Sequence, residues 1–193
     1  MKRILAIVFL LITLQLKSAD YCRVVQFLYS AEGGYFKAED TYKGIMYNPT
    51  WIAYFGENQR ERFLKMDESD WGYIFSQGYW KQIDGYNIND QKVAESIADW
   101  AFNAGISAVA KKVDKILGLP KDGKFDKATI DAINRTDSTW LWTEISKERA
   151  KFYIGLGDSN PSKYKKFVIG WVNRVINLLT FQATQEADFC SYY

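Results

Sequence analysis

Apolar residues at Val24, Phe27, Leu28 and Ala31 fall at i, i+3, i+4 and i+7, the spacing of one face of a short helix, and Gly33 with Gly34 stops it. The next stretch, YFKAEDTYKGIMY from Tyr35 to Tyr47, surrounds a polar middle with aromatic and β-branched residues. It predicts a small hairpin or an irregular strand pair. In NPTWIAYFG, Asn48 is placed as an N-cap, Pro49 at the first helical position and Gly56 as the stop. Asp67 to Asp70 marks a further start ahead of WGYIFSQGYWKQI.

From Gln91 onward the pattern is helical almost throughout. Val93, Ala94, Ile97 and Ala101 share a face that ends at Gly105, and Ile106, Val109, Ala110, Val113 and Leu117 form the next, closed by Gly118. LPKDGKFD is a turn-rich connection into a short helix that starts near Asp126 and carries Ile130 and Ile133. Ser138 is placed as the cap of a helix with Leu141, Ile145, Phe152 and Leu156. Asn160 and Pro161 open the last helix, whose buried stripe is expected to be Phe167, Trp171, Val175 and Leu178. There is no internal repeat. The expected architecture is mainly α (α+β), with a small β element beside Glu32.

The first residues change the compartment. Lys2 and Arg3 precede an apolar run from Ile4 to Leu14, and small residues follow at Ser18 and Ala19, the plan of a secretory signal peptide over residues 1–19. The run is well short of the ~20 residues a membrane-spanning helix needs. Lys17 sits where a small residue is expected before a cut after Ala19, so an uncleaved signal anchor is the alternative. Export to the periplasm or the medium is the expectation, with tethering to the inner membrane as its counterpart. The chain has 25 basic and 23 acidic residues, and three of the basic ones, Lys2, Arg3 and Lys17, belong to the leader. The remainder is nearly neutral, and no charge pattern points to nucleic acid.

Two cysteines, Cys22 and Cys190, lie near the two ends of the exported part. A bridge between them would tie the first helix to the tail and, by loop-closure entropy, contribute about 5 kcal/mol. Two unpaired thiols are the other reading. The chain has no histidine. This excludes Ser-His-Asp and Cys-His nucleophile systems and the usual zinc sites. Hydrolytic chemistry would rest on carboxylates, hydroxyls, lysines or a metal held by oxygen alone.

Glu32 is the carboxylate with a chemical reason for its place. At a helix C-terminus it faces carbonyls without partners, whose partial negative charge disfavours an ionised side chain. Shielding by Tyr29, Tyr35 or Phe36 would act the same way. A carboxyl that keeps its proton is what glycosidic cleavage needs, because the leaving oxygen must be protonated as the bond breaks. Gly33 and Gly34 let the chain turn sharply and leave room for a bulky substrate. The same residues also read as a solvated helix end with a plain glycine cap.

The sequence resembles the muramidases of glycoside hydrolase family 108, a lysozyme-like group of phage endolysins and bacterial secretion-associated enzymes. The resemblance rests on EGGY at Glu32 to Tyr35, then Thr41 and the Gly-Ile pair at Gly44 and Ile45. YWKQI at Tyr79 to Ile83 and DWAFNAG at Asp99 to Gly105 are similar to further family elements. DGKFDKATIDAIN and GWVNRV resemble the peptidoglycan-binding-like helical half that follows. Together these span most of the chain from Gln26 to Leu179.

The resemblance implies a lysozyme-like fold with a catalytic lobe over 20–88, a helical peptidoglycan-binding-like lobe over 89–182 and a tail over 183–193. It implies a monomeric enzyme that cleaves the β-1,4 link between N-acetylmuramic acid and N-acetylglucosamine without a cofactor or metal, with peptidoglycan strands as partner and Glu32 as the acid. The membrane is touched only through an uncleaved N-terminus. Family members carry a longer loop between the Glu and the Thr, and this chain is shorter there.

Asp40 is the nearest surviving acid, with Glu39 in competition. An inverting mechanism needs a second group about 6.5 to 9.5 Å from the acid to place water. Asp40 and Thr41 fill that role or are ordinary turn and strand residues. Asn103 is a candidate substrate contact or a helix-end residue. Tyr35 and Trp51 are the rings expected at the sugar groove, whereas Arg174 is expected in an internal ion pair and Trp171 in the core. The rivals are a lytic transglycosylase with the same lone acid, and a wall-binding or secretion accessory protein that has lost the chemistry.

Overall fold

The computed structural model describes residues 18–184. Most of the leader, the tail beyond Thr184 and Cys190 lie outside the described residues, and with them the proposed bridge to Cys22. The first helix, α1 (Tyr21–Ala31), is started by the Asp20 side chain, which accepts from the Cys22 amide at 2.9 Å. Val24, Val25, Phe27 and Leu28 face the core, while Ala31, expected on that face, is exposed. Beyond it come β1 (Tyr35–Phe36), β2 (Thr41–Tyr42) and β3 (Ile45–Met46) in one three-stranded antiparallel sheet. Tyr35 pairs with Tyr42 and Phe36 with Thr41; Thr41 in turn pairs with Met46 and Tyr42 with Ile45. The β2 to β3 connection is the two-residue turn Lys43-Gly44, both at positive φ (47° and 73°), which matches the twist of the flanking strands.

A wide helical turn over Tyr47–Trp51 leads into α2 (Ile52–Phe55), which Gly56 ends at φ 83°. Asn48 does not cap this helix as expected, since no side-chain capping bond is made at its start. Two short helices follow, α3 (Arg60–Leu64) and α4 (Glu68–Phe75). Asp67 caps α4 through the Asp70 amide at 2.8 Å. A second wide turn, Ser76–Trp80, presents Tyr79 and Trp80.

The helical remainder consists of α5 (Gln91–Ala104), α6 (Ile106–Leu117), α7 (Lys127–Arg135), α8 (Ser138–Ser159) and α9 (Pro161–Thr184). Gly118 closes α6 in the left-handed region, and Asp126 caps α7 through the Thr129 amide. Asp137 rather than Ser138 caps α8, because its carboxylate reaches the Trp140 amide at 2.8 Å. α8 and α9 form a long antiparallel hairpin, in which Trp171 is half-buried and Val175 and Leu178 are buried. Phe167 was expected in that stripe but is 45% exposed.

α5 is the central strut, buried along Val93 to Ala101 and in contact with α1, α6 and α8. Trp51, Trp71, Trp80 and Trp100 are all fully buried or nearly so, and core residues of both halves belong to one apolar cluster. Among the described residues no helix is long and apolar enough to cross a membrane.

Candidate active site

Glu32 is the first residue past α1, with an extended backbone whose amide still bonds to the Leu28 carbonyl at 3.0 Å. Its side chain is 13% exposed. The neighbouring carbonyls are not left without partners, as the sequence had suggested. The Lys43 ammonium reaches back from the hairpin turn and donates to the carbonyl oxygens of Tyr29 and Glu32 at 3.0 and 3.4 Å. A cation at a helix C-terminus offsets the negative end of its dipole. Lys43 also lies over the Tyr29 ring, 4.1 Å from its centre.

The next residue of that turn shapes the pocket of the carboxylate. A methyl group on Gly44 would come within 3.1 Å of Glu32 Oε2 and 2.8 Å of the Phe102 ring. Gly44 therefore provides both the positive φ of the turn and the space that the acid occupies. Phe102 packs in turn against Trp71 and Tyr79. The Tyr79 hydroxyl is pushed up by burial first, with the charges of Tyr54 and Glu32 adding to it.

The other oxygen, Oε1, lies 2.6 Å from Arg174 Nη2 on α9. The charges are close, but the angle is poor for a hydrogen bond. Arg174 makes its two well-aligned bonds elsewhere, from Nε and Nη2 to Asp99 Oδ1 at 2.9 and 2.7 Å. Asp99, fully buried on α5, meets Arg149 of α8 at 2.5 Å through its other oxygen. Burial opposes the charge on Asp99, but Arg149 and then Arg174 outweigh it and hold the carboxyl below its ordinary value. Burial likewise works against Arg174, and Asp99 and Glu32 more than compensate, keeping it firmly cationic. The internal ion pair expected for Arg174 thus exists, and it includes Glu32.

Asp40 sits on the loop between β1 and β2 at φ 51°. Tyr35 donates its hydroxyl to Oδ1 at 2.9 Å, and Arg60 of α3 donates to Oδ2 at 2.7 Å and to the Tyr35 oxygen at 2.8 Å. The Arg60 guanidinium, against a smaller effect of burial and with help from Tyr35, holds the Asp40 carboxyl below its ordinary value. Two of the expected site residues are therefore bonded to each other. Thr41 follows in β2, half-buried and paired across the sheet with Phe36 and Met46.

Trp51 does not belong to this surface. It has no exposed area and packs against Phe55 at a tilt and Phe63 edge-on, with ring centres 4.3 and 5.4 Å away. The expectation that it contacts a sugar is corrected: its ring contributes to the core behind the sheet. Asn103, near the end of α5, is exposed; its amide donates to the Asp99 carbonyl at 2.8 Å. It also shares with Glu32 a hollow of about 410 Å³, completed from α9 by Trp171, Asn173, Arg174 and Asn177. Asn173 and Asn177 are one turn apart and exposed, and sequence reasoning missed them, as it missed Lys43 and Arg60. The motif GWVNRV, quoted for its likeness, held the nearest signal.

Residues 25–105 match the family model described as glycosyl hydrolase 108, and residues 110–176 match a model described as a predicted peptidoglycan domain. No curated protein matches the chain. Among solved structures, SagA of Brucella abortus superposes with a TM-score of 0.68 at 22% identity, covering 84% of this chain and 94% of that one. At that identity the likeness speaks for the fold, which is the mainly α, lysozyme-like architecture with a small sheet that the sequence led one to expect. Glu32, Gly44 and Asp99 fall in the first matched segment, and Arg149 and Arg174 in the second.

Proposed function

We propose that this glycoside hydrolase, which carries a glycosyl hydrolase 108 domain and a peptidoglycan domain, is an N-acetylmuramidase that hydrolyses the β-1,4 bond between N-acetylmuramic acid and N-acetylglucosamine outside the cytoplasmic membrane. One observation carries the reading: Glu32 opens onto a hollow with one carboxylate oxygen against Gly44 and the other beside a fixed guanidinium.

In this mechanism Glu32 gives its proton to the glycosidic oxygen as the bond from that oxygen to the anomeric carbon breaks. Positive charge develops on the sugar ring, and water adds to the anomeric carbon from the opposite face, passing a proton by way of Asp40 to the solvent, from which Glu32 is reprotonated. Asp40 is a charge fixed by Arg60 and Tyr35, a weak base but a steady one for orienting that water and favouring the sugar cation. Thr41 offers a hydroxyl beside it. The side-chain amides of Asn103, Asn173 and Asn177 suit the hydroxyl and acetamido groups of the glycan, with the Trp171 ring as an apolar face.

The test is clearing of purified sacculi by the wild type and by Glu32→Gln, which keeps the shape but has no acidic proton. The expected result is clearing by the first alone, with products that carry a free reducing muramic acid on mass spectrometry. Products of 1,6-anhydro type would assign transglycosylation instead. Binding to sacculi without clearing by the wild type would overturn the enzymatic reading for this substrate.

A further inference from the structure

Arg174 is tied down before it meets Glu32. Its Nε and Nη2 both bond to Asp99 Oδ1, and the other oxygen of Asp99 lies 2.5 Å from the buried Arg149, an ion pair without a well-aligned hydrogen bond. A guanidinium held in this way cannot follow a moving partner. Glu32, by contrast, stands on an extended residue followed by two glycines, and nothing in its own segment fixes its side chain. The contact of 2.6 Å between them is therefore made by Glu32 settling against a cation that is already in place.

The charged and titratable groups around Glu32 come from five elements. Arg174 approaches from α9 and Asp99 from α5 behind it, with Arg149 of α8 one step further back. Lys43 of the hairpin turn bonds to the Glu32 carbonyl, and the hydroxyl of Tyr79 on the second wide turn is near enough to feel the Glu32 charge. Of these, Arg174 alone makes an ion pair with the carboxylate. Gly44, which lies beside the other oxygen, carries no charge.

We propose that Arg174 is a positioning residue for Glu32, so that the C-terminal helical half completes the active site of the N-terminal half. The proposal rests on Glu32 being the acid. Arg174 fixes the rotamer that leaves Oε2 to the substrate. It also faces the charge that forms on the carboxylate once the proton has gone, and it does so without moving. Stabilisation by a group already oriented costs no reorganisation at the moment of reaction. An Arg174 that merely braced α9 against α5 would affect folding and nothing else.

The experiment compares the full chain with Arg174→Met, Arg174→Lys and Arg149→Met, the last breaking the same network without touching Glu32. On soluble glycan fragments, Arg174→Met is expected to lower kcat about 100-fold, the size seen when one oriented group facing a developing charge is removed. KM should stay within about twofold. Arg174→Lys should recover most of the rate, and it serves as the test variant if the methionine chain does not fold.

Crystal structures of the wild type and of the Arg174 variant separate this idea from the functional reading. If the wild type proves inactive, a Glu32 side chain that leaves its rotamer in the variant still supports the pairing, and an unmoved side chain sinks it. An equal loss of rate in Arg174→Met and Arg149→Met, in step with lost stability, would also overturn the proposal.

Discussion

The Cα of Gly44 faces the Glu32 carboxylate so closely that a Cβ there would stand 3.1 Å from Oε2 and 2.8 Å from the Phe102 ring. Backbone and side chain thus compete for one space at the mouth of the hollow. The glycine is required twice, because its φ of 73° belongs to the tight turn between β2 and β3. Gly44→Ala is expected to cost about 1 to 3 kcal/mol of stability through the strained turn and to displace the acid. Thermal unfolding and initial rates on sacculi check both effects. A variant with wild-type rate would show that Glu32 does not need this pocket.

A second prediction concerns the buried triad of Asp99, Arg149 and Arg174. Asp99→Ala would leave Arg149, 1% exposed, as an unpaired charge in the core, and the expected cost is about 3 to 5 kcal/mol. Adding Arg149→Met to that variant should recover part of the loss. The triad holds the Asp99 carboxyl below its ordinary value, so its contribution is fully present at neutral pH and is lost only as pH falls through that lowered value. Denaturant unfolding of the two single variants and the double variant measures the coupling. Strict additivity would mean that the pair does not act as a unit.

Helix ends could be read from the sequence because they depend on residues within one turn of each other. Asp67, Asp126 and Gly118 cap where local chemistry places them, and at α8 the cap is displaced by one residue only because Asp137 competes with Ser138. Glu32 was legible for a similar reason: a carboxylate, a helix end and two glycines are contiguous. What holds Glu32 was not. Lys43, Gly44, Asp99 and Arg174 converge on it from three separate segments, and no spacing along the chain encodes that meeting. Trp51 was misplaced because an aromatic ring has the same sequence signature in a core as on a sugar platform. Phe167 shows the converse, a residue at core spacing left exposed because the hairpin of α8 and α9 ends nearby.

Asp114 on α6 supplies a third test, away from the acid. It is fully buried and accepts a hydrogen bond from the Thr129 hydroxyl of α7 at 2.9 Å. Burial, aided by the charges of Asp122 and Asp126, pushes its carboxyl above the ordinary value despite that bond. Between the ordinary and the raised value the folded chain holds a proton that the unfolded chain has released. Stability from this group is therefore present below that window and falls as pH rises through it. Asp114→Asn keeps an acceptor for Thr129 and does not titrate, so its stability should gain on that of the wild type across the same window. Denaturant midpoints taken in steps from about pH 4 upward read the difference. Parallel curves would mean that Asp114 titrates alike in both states.

The last prediction addresses Asp40, whose charge is asked to orient water. Its acidity comes first from the hydrogen bond of Arg60 and then, against some burial, from the Tyr35 hydroxyl. A carboxylate held below 3.8 stays ionised as the medium becomes acidic, and an activity that needs its charge persists to lower pH than an ordinary Asp would allow. Arg60→Gln keeps a polar side chain but removes the cation, whose guanidinium lies over the rings of Tyr47 and Phe63. The acid limb of its pH–rate profile should move up toward the ordinary Asp value. Tyr35→Phe should produce the same displacement in smaller measure, since its bond is the weaker of the two. Because Asp40 and Arg60 are both substantially exposed, high salt should shrink the effect of the charge but not that of the tyrosine. An acid limb that ignores both substitutions would remove Asp40 from the mechanism and leave Thr41 as the group that holds the water.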